Sequence, residues 1–401
     1  MPSNLSPCRQ AALAAILFIG VAAQAAPSWL QPAVDAGQSW HNPKESTLKP
    51  SNVARLHRVS TLQPGFFQVG PVTQSGGALV LCSDMLGLAS IDQADGASQW
   101  SRFGFSGGNC NAAVLDADTA YAAATKLSAG TWTNTLTAAN RADGSNRWQV
   151  FGPPDDPLAS SFLQFNMPTL SQGVLYASHE RSLLSAYDAA TGALRWRTST
   201  GYLNNQPAVA GDLVFTSTWG EGGDSNMLFA HRAADGSLAW SQPTGASASE
   251  YPATAVAGRV FVGTDSGALF AFDGATGRPL WQVALAGYVS AAPVASAQTL
   301  FVNYALASLT ALDACSGETV WKIALGGTDK VASNMALANG VLYFTAVDLH
   351  GDQRLLAVDA RTGKRLLRLA ETIFGSHADV SIAGGRVYVS SEGSVLVYGL
   401  H

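Results

Sequence analysis

Residues 186–196 read Ala186-Tyr187-Asp188-Ala189-Ala190-Thr191-Gly192-Ala193-Leu194-Arg195-Trp196, and variants of this stretch recur along the chain. Each copy has an Asp or a similar residue, then a Gly, and a Trp four positions after the Gly. The tryptophans are Trp100, Trp148, Trp196, Trp240, Trp281 and Trp321, and a seventh copy carries Leu367 in this place. Successive copies lie 48, 48, 44, 41, 40 and 46 residues apart. A period of this length predicts a repeat architecture.

The residues of the repeat indicate the shape of one unit. Asp followed by Thr, Asp or Ser and then Gly predicts a tight hairpin, in which Gly adopts a positive φ. The Trp begins the next strand and offers a large flat surface for packing, so we interpret the tryptophans as structural rather than cofactor-binding. Short apolar strands precede each hairpin, as in 259–264 and 268–272. Four short strands in a unit of this length are typical of a β-propeller blade.

The two ends of the chain predict how the ring closes. Residues 52–61 resemble an outer strand with no strand before it, and three strands around Ser381, Val387 and Leu396 follow Leu367 without a fourth. Together they complete one blade, which removes exposed sheet edges. We therefore predict an all-β, eight-bladed propeller with four antiparallel strands per blade, closed by N- and C-terminal strands. A seven-bladed ring is the alternative if one copy is degenerate.

The first 25 residues have the pattern of an export signal. Arg9 precedes the apolar run 11–22, and small residues precede a cleavage site near Ala25. We predict a signal peptide over 1–25, an N-terminal extension over 26–48 and a single propeller domain over 49–401. No later stretch approaches the roughly 20 apolar residues that span a bilayer. The protein is expected to be periplasmic or secreted, with a retained N-terminal anchor as the alternative.

The charge of the chain limits the classes of partner. Removing residues 1–25 takes away Arg9 and no acidic residue, which leaves 22 Lys+Arg against 28 Asp+Glu, a net charge of −6. Nucleic acid binding requires a basic surface, and the charges are dispersed, so we expect neither a nucleic acid partner nor attraction to anionic lipid. We expect a monomer.

Two cysteines stand at strand ends that should share one face of the ring. Cys82 ends a second strand, and Cys110 precedes the innermost strand of the next blade. A disulfide between them is one prediction for an oxidising compartment, and two free thiols are the alternative. The cysteine spacing fits no zinc site, so we predict no metal.

The repeat Ala-x-Asp-x-x-[Thr/Asp/Ser]-Gly-x-x-x-Trp resembles that of the pyrroloquinoline-quinone (PQQ) propeller superfamily. Residues 49–56 also resemble the opening strand of those proteins, and the resemblance covers 40–401. The superfamily includes quinoprotein alcohol dehydrogenases and the scaffold lipoprotein of the outer-membrane β-barrel assembly machine. The length and single-domain layout are more similar to the scaffold. Cys8 lies before the apolar run, so the chain departs from the lipid anchor of that scaffold.

A quinoprotein dehydrogenase would need further features. The resemblance to those enzymes implies two adjacent cysteines beneath the cofactor, a carboxylate base and oxygen ligands for calcium. This chain has no adjacent cysteines. Asp379, Glu250 and Asn334 are the candidates for a base or ligands, because all three align just ahead of inner strands. We predict no catalytic residues and no cofactor, with PQQ and calcium as the alternative.

The residues ahead of the inner strands should surround one mouth of the central channel. The more polar set is Asn111, Asn166, Asn205, Glu250 and Ser333, with Asn334 and Asp379 at the adjacent position. Only one of the two sets faces the channel at a given level, because strand side chains alternate. The polar set is predicted either to bind a peptide or small ligand or to hold ordered water.

The sequence therefore supports two hypotheses about function. The leading hypothesis is a periplasmic, non-catalytic propeller that binds envelope proteins as a scaffold, for example during outer-membrane assembly. The alternative is a propeller that binds PQQ or another small ligand, similar to a quinoprotein dehydrogenase.

Overall fold

The structure is a computed structural model. It describes residues 28–64, 70–83, 87–102, 110–128, 131–151, 167–178, 183–200, 203–219, 226–245, 251–326, 329–373 and 378–400. Hydrogen bonds join the strands of this part of the chain into eight sheets, which are the blades of the ring. The eight-bladed, all-β prediction is confirmed.

The first strands in the chain belong to the last two blades. Strand β1 (His41–Asn42) and a 3₁₀ helix (Val53–Arg55) precede strand β2 (His57–Leu62). Strand β1 pairs in parallel with blade 7, and β2 forms the outer edge of blade 8.

Blades 1 to 4 follow in chain order. Blade 1 contains β3 (Thr73–Ser75), β4 (Ala78–Ser83), β5 (Gly87–Asp92) and β6 (Ser98–Arg102). Blade 2 contains β7 (Cys110–Leu115), β8 (Thr119–Ser128), β9 (Thr131–Asn140) and β10 (Asn146–Phe151). Blade 3 contains β11 (Thr169–Ser171), β12 (Val174–Ser178), β13 (Leu183–Asp188) and β14 (Leu194–Ser199). Blade 4 contains β15 (Leu203–Asn204), β16 (Ala208–Ala210), β17 (Leu213–Trp219), β18 (Asn226–Arg232) and β19 (Leu238–Gly245).

Blades 5 to 8 complete the ring. Blade 5 contains β20 (Thr254–Val256), β21 (Arg259–Gly263), β22 (Ala268–Asp273) and β23 (Pro279–Ala284). Blade 6 contains β24 (Val294–Ala295), β25 (Thr299–Tyr304), β26 (Ser308–Asp313) and β27 (Thr319–Ala324). Blade 7 contains β28 (Lys330–Val331), β29 (Ala336–Ala338), β30 (Val341–Val347), β31 (Gln353–Asp359) and β32 (Arg365–Arg368). Blade 8 contains β33 (Val380–Ala383), β34 (Arg386–Ser391) and β35 (Ser394–Gly399), and β2 pairs with β35 as its outer strand.

The antiparallel strands give the ring two different ends. We call one the hairpin face, because it carries the tight turns between first and second strands and between third and fourth strands, such as Gly76-Gly77 and 93–97. We call the other the loop face; there the inner strands begin and the second strands end. The predicted ligand positions belong to the loop face.

The repeated tryptophans join consecutive blades near the hairpin face. Each Trp indole N–H donates to a carbonyl oxygen in the hairpin of the next blade, at 2.7–3.2 Å. The accepting residues are Arg141, Ala189, Ala233, Gly274, Ala314 and Ala360. The hairpin glycine of that next blade lies against the face of the indole, and a Cβ there would be 2.5–2.8 Å from it. The Asp-x-x-x-Gly-x-x-x-Trp repeat therefore encodes the joint between blades as well as the hairpin.

The seventh copy of the repeat lacks the Trp because the next blade lacks the hairpin that an indole would contact. The third and fourth strands of blade 8 come from opposite ends of the chain, so no hairpin joins them. Leu367 is 9% exposed, and the 3₁₀ helix lies next to its strand, β32. In blade 8, Leu62 takes the place of the Trp, and its Cβ would lie 3.2 Å from a Cβ at Gly96 of blade 1. The predicted closure by strands from both termini is confirmed.

Residues 28–48, the described part of the predicted N-terminal extension, pack against the ring. Trp29, Ala33 and Leu48 are completely buried, and they belong to the same apolar cluster as residues of blades 7 and 8. Within the described part of the chain, no helix is long and apolar enough to cross a membrane.

Candidate functional site

The structure describes part of the predicted ligand set at the loop face. The side chains of Asn205, Ser333, Asn334 and Asp379 are described and partly buried. Asn111 lies in β7, where its backbone alone is described. Asn166 and Glu250 lie outside the described residues, as does the predicted signal peptide.

Asn205 connects blade 4 to blade 5. Its Nδ2 donates to Oγ of Ser217 in β17 at 2.9 Å, and to the carbonyl oxygen of Tyr251 at 3.3 Å. The Ser217 hydroxyl donates to the same Tyr251 carbonyl at 3.3 Å. In blade 5, the residue that corresponds to Asn205 is therefore Tyr251. The Asn205 amide fixes the inner strands of two adjacent blades relative to each other.

Asn334 joins blade 7 to blade 8 in a similar way. Its Nδ2 donates to the carbonyl oxygen of Val380 at 3.0 Å, and the Val380 N–H donates to its Oδ1 at 2.8 Å. The neighbouring Ser333 hydroxyl donates to the Asn334 carbonyl at 2.6 Å and accepts from the N–H of Thr345 at 2.8 Å. Both side chains therefore hold the inner strand of blade 7 in place.

Asp379 is held through its backbone. Its N–H donates to Oγ of Ser390 at 3.2 Å, and the N–H of Ser390 donates to its carbonyl oxygen at 3.0 Å. These contacts join the start of the inner strand of blade 8 to β34. The structure therefore brings the backbones around Asn334 and Asp379 together, whereas Asn205 serves a different joint.

Small polar side chains of the second strands latch blades 3, 4 and 7 to the blade that follows each of them. The hydroxyls of Ser178, Ser217 and Thr345 donate to carbonyl oxygens of Asn205, Tyr251 and Ala378 in the following blades, at 2.7, 3.3 and 3.4 Å. We call this site in the second strand the latch position. In blade 1 it holds Cys82, which forms a disulfide with Cys110 of blade 2, with a Cα–Cα distance of 5.3 Å. The disulfide thus takes the place of a hydrogen-bonded latch.

Sequence reasoning missed the hydroxyl residues at the latch position. A signal was present, since Ser178, Ser217 and Thr345 each stand two residues after a buried aromatic side chain of the same strand. In blades 3 and 4, that aromatic ring packs against the Trp of its own blade with a centroid distance of 6.0 or 5.8 Å. In blades 3, 4 and 7, an aromatic residue followed two positions later by Ser or Thr therefore marks the latch position, whereas Ser390, two residues after Tyr388 in blade 8, bonds Asp379 of its own blade.

Two residues of the predicted ligand set have protein partners at the loop face. Calcium requires several converging oxygen ligands, but the amides of Asn205 and Asn334 bind protein groups across blade joints. Among the described residues, no group of three or more His, Cys, Asp or Glu side chains is arranged to hold a metal. Within the described part of the loop face, both amides therefore act as joints between blades.

Charged groups near the loop face of blade 7 neutralise one another. Arg354 donates to Asp348 at 2.5 Å and to Asp352 at 2.7 Å, which fixes the connection between β30 and β31. The hydrogen bond from Arg354 holds the pKa of the Asp348 carboxyl below its usual value. This carboxylate stays ionised and paired, which suits a structural role rather than acid–base catalysis.

Three exposed apolar side chains mark the loop face of blades 5 to 7. Tyr251 precedes β20, Tyr288 precedes β24, and Leu349 lies between β30 and β31. They are 40%, 44% and 73% exposed, respectively. We call these residues the loop-face patch. Loops on a rigid frame often carry binding residues, so these three side chains are candidates for a contact surface.

Solved structures with the same fold include BamB, an alcohol dehydrogenase and a designed protein. BamB from Moraxella catarrhalis aligns with a TM-score of 0.63 and 16% identity, covering 86% of this chain and 97% of that chain. The quinohemoprotein alcohol dehydrogenase from Comamonas testosteroni aligns with a TM-score of 0.69 and 14% identity, covering 99% and 84%. The computationally designed Ika8 protein aligns with a TM-score of 0.70 and 13% identity, covering 85% and 99%. Identities this low demonstrate the fold alone.

The sequence itself gives a more specific relationship. No protein with a curated description matches the chain. One sequence family matches residues 135–250 and 224–399, which together span more than half of the 401 residues. This family of PQQ-like repeats is described as outer membrane protein assembly factor BamB. The blades and their joints agree with that match, and the chain belongs to this family.

Proposed function

We propose that this protein is an exported, non-catalytic propeller that acts in the periplasm as a scaffold for other envelope proteins. The observation that carries the proposal is the use of loop-face polar groups as joints between blades. Asn205 and Asn334, the amides expected to meet a small ligand, instead bind the backbone of the following blade. The family description, outer membrane protein assembly factor BamB, supports a role in envelope assembly.

The loop-face patch is the surface proposed to contact the partner. Tyr251 and Tyr288 are exposed by 40% and 44%, and aromatic side chains contribute much of the binding energy in protein interfaces. Their blades are held by buried joints, so the patch has a rigid support.

The test is capture of partners from mildly crosslinked, detergent-solubilised envelope, with quantitative mass spectrometry. The bait proteins are the wild type, a Tyr251→Ser/Tyr288→Ser variant and a Leu238→Ser control. Leu238 is 55% exposed but lies on outer strand β19, away from the patch. Components of outer-membrane barrel assembly should be recovered with the wild type and the control, and be lost with the double variant.

A second experiment separates this proposal from the enzymatic alternative. The purified protein is titrated with PQQ and calcium, and dye-linked alcohol oxidation is measured. Saturable PQQ binding together with turnover would contradict the non-catalytic proposal. Recovery of the same partners with all three baits would contradict the assignment of the patch.

A further inference from the structure

Residues 29–45, which we call the clasp, contact the inner strands of all eight blades in chain order. The backbone of Trp29 pairs with Gln74 of blade 1, at 2.8 and 3.0 Å. Leu30 and Gln31 accept the N–H groups of Leu115 and Leu170 in blades 2 and 3, at 2.8 and 2.9 Å. These contacts connect the first residues of the clasp with blades 1 to 3.

The second half of the clasp continues around the same circle. Carbonyl oxygens of Ala36, Gly37, Ser39 and Trp40 accept the N–H groups of Val209, Ala255, Ala295 and Leu337 in blades 4 to 7, at 2.6–2.9 Å. In blade 8, Nδ2 of Asn42 donates to the carbonyl oxygen of Ile382 at 2.7 Å. Each of these inner-strand residues holds the same position, next to the turn that leads into the second strand. The clasp thus closes the hairpin end of the channel.

The clasp ends in a buried carboxylate. Glu45 is 3% exposed, and its Oε2 accepts the N–H of Gly385 in blade 8 at 2.9 Å. Its Oε1 accepts the N–H groups of Thr47 and Leu48 at 2.7 and 3.1 Å. Backbone N–H groups thereby satisfy a charge that would otherwise be costly to bury.

The backbone of the clasp is strained. Val34, Gln38 and Trp40 have positive φ values of 75°, 59° and 55°. Residues with a Cβ rarely adopt this region, and a β-branched residue such as Val34 is a marked outlier there. In addition, the clasp contacts blades 2, 4, 5 and 6 through one backbone hydrogen bond each, whereas β1 pairs with β29 of blade 7 as a short strand. This strain opposes docking of the clasp, whereas the buried side chains of Trp29 and Ala33 stabilise it.

The groups that the clasp satisfies are the edges of the inner strands. Seven equivalent N–H groups and one carbonyl oxygen point from eight blades to one circle, and they bind mainly the backbone of the clasp. An unpaired strand edge accepts an extended peptide through its main chain. We propose that the hairpin end of the channel is a binding site for an extended polypeptide segment, and that residues 29–45 occupy it in cis.

This inference concerns the face opposite the loop-face patch, and it does not depend on the scaffold function. Opening of the clasp would expose the site, so a segment supplied in trans competes with the chain's own residues. Because the intramolecular occupant is always present, the wild type should bind such a segment far more weakly than a chain with a weakened clasp.

Gly37 provides a selective way to weaken the clasp. A Cβ at this position would overlap the carbonyl oxygen of Ala255 in blade 5. The full-length Gly37→Val variant should therefore lose docking of the clasp while the sequence of the ring is unchanged. Ser46→Val is the matched control, because Ser46 is exposed and follows the clasp.

The experiment measures binding of a fluorescein-labelled synthetic peptide with the sequence of residues 28–45 by fluorescence anisotropy. The peptide should bind Gly37→Val at least about tenfold more tightly than the wild type or Ser46→Val. A peptide carrying the same Gly37→Val change should not bind. Equal binding to all three proteins, or no binding to a Gly37→Val variant with native circular dichroism, would overturn the proposal.

Hydrogen exchange of the wild type gives the second measurement, which also applies if Gly37→Val fails to fold. The amides of Val209, Ala255, Ala295 and Leu337 should be at least about tenfold less protected than amides between β17 and β18. Equal protection would mean that the clasp opens only when the whole ring unfolds, and the site would then not exist as proposed.

Discussion

At the scale of single residues, the joint between blades depends on a glycine for two separate reasons. Gly236 has a φ of +74°, and a Cβ there would lie 2.5 Å from Cε3 of Trp196 in the preceding blade. The Trp196 indole N–H donates to the carbonyl oxygen of Ala233 at 2.8 Å, so the indole cannot move away from the glycine without losing this hydrogen bond. Backbone conformation and packing therefore both select Gly in the repeat.

We predict that Gly236→Ala lowers the free energy of unfolding by about 2–4 kcal/mol, from the left-handed backbone and from overpacking against Trp196. Gly258→Ala is the control, because Gly258 has a φ of +76° but nothing within 4 Å of a Cβ. The control should lose only about 1 kcal/mol. Urea unfolding followed by circular dichroism measures both values. Equal losses would show that contact with the indole contributes nothing.

At the scale of strands, the sequence predicts the elements well because each blade repeats local information. Alternating apolar residues and the Asp-x-x-x-Gly turn place the second, third and fourth strands of blades such as blade 5. The innermost strands are short, as with Val294–Ala295, and they carry little periodicity of their own. The sequence therefore predicts strand positions accurately where hairpins fix the register, and less accurately for the innermost strands at the channel.

The roles of the polar residues at the channel mouth could not be read from the sequence. Alternation along a strand does not tell whether Asn205 meets the channel or the neighbouring blade, because its partner Tyr251 is 46 residues away. In blade 2, an irregularity between Cys110 and Ala113 changes the register near Asn111. The clasp was predicted only as an extension, since contacts with eight separate strands leave no local pattern.

The Asn334 joint gives a prediction at this scale. Replacement by Leu removes both hydrogen bonds to the backbone of Val380, which is 1% exposed, and leaves its N–H and C=O without these partners. We expect Asn334→Leu to lower the free energy of unfolding by about 2–3 kcal/mol, within the usual cost of unsatisfied buried groups. Asn146→Leu, at an exposed position of β10, should be nearly neutral.

Thermal and urea unfolding of the two variants measure the difference. An Asn334→Leu protein as stable as the wild type would mean that the amide does not serve as a structural joint. That result would return Asn334 to the set of candidate ligand-binding residues.

At the scale of the whole molecule, the ring is closed by several kinds of joint, and different blade boundaries use different kinds. Six joints use a Trp and a Gly, whereas Leu62 and Leu367 serve the joints on either side of blade 8. The clasp then connects every blade from inside. A closed ring in which each joint supports the next should lose its blades together, so weakening one joint lowers the stability of the whole.

The joint between blades 1 and 2 differs from the others because it contains a covalent latch. Cys82 and Cys110 are 28 residues apart in sequence, and Cys82 lies where blades 3 and 4 have Ser178 and Ser217. A disulfide that closes a loop of this length stabilises a protein by about 3–4 kcal/mol, chiefly by restricting the unfolded chain. A serine in place of Cys82 is expected to restore part of the contact through a hydrogen bond.

We therefore predict an ordered series for two double variants. Cys82→Ala/Cys110→Ala should lose about 3–4 kcal/mol of unfolding free energy, and Cys82→Ser/Cys110→Ala should regain about 0.5–1.5 kcal/mol of that loss. Urea unfolding without reductant measures the series. Because Ser178 donates to a carbonyl of the next blade, a serine at position 82 can adopt the same latch. Equal stability of the two variants would show that this joint depends on the covalent bond, not on the latch geometry shared with blades 3 and 4.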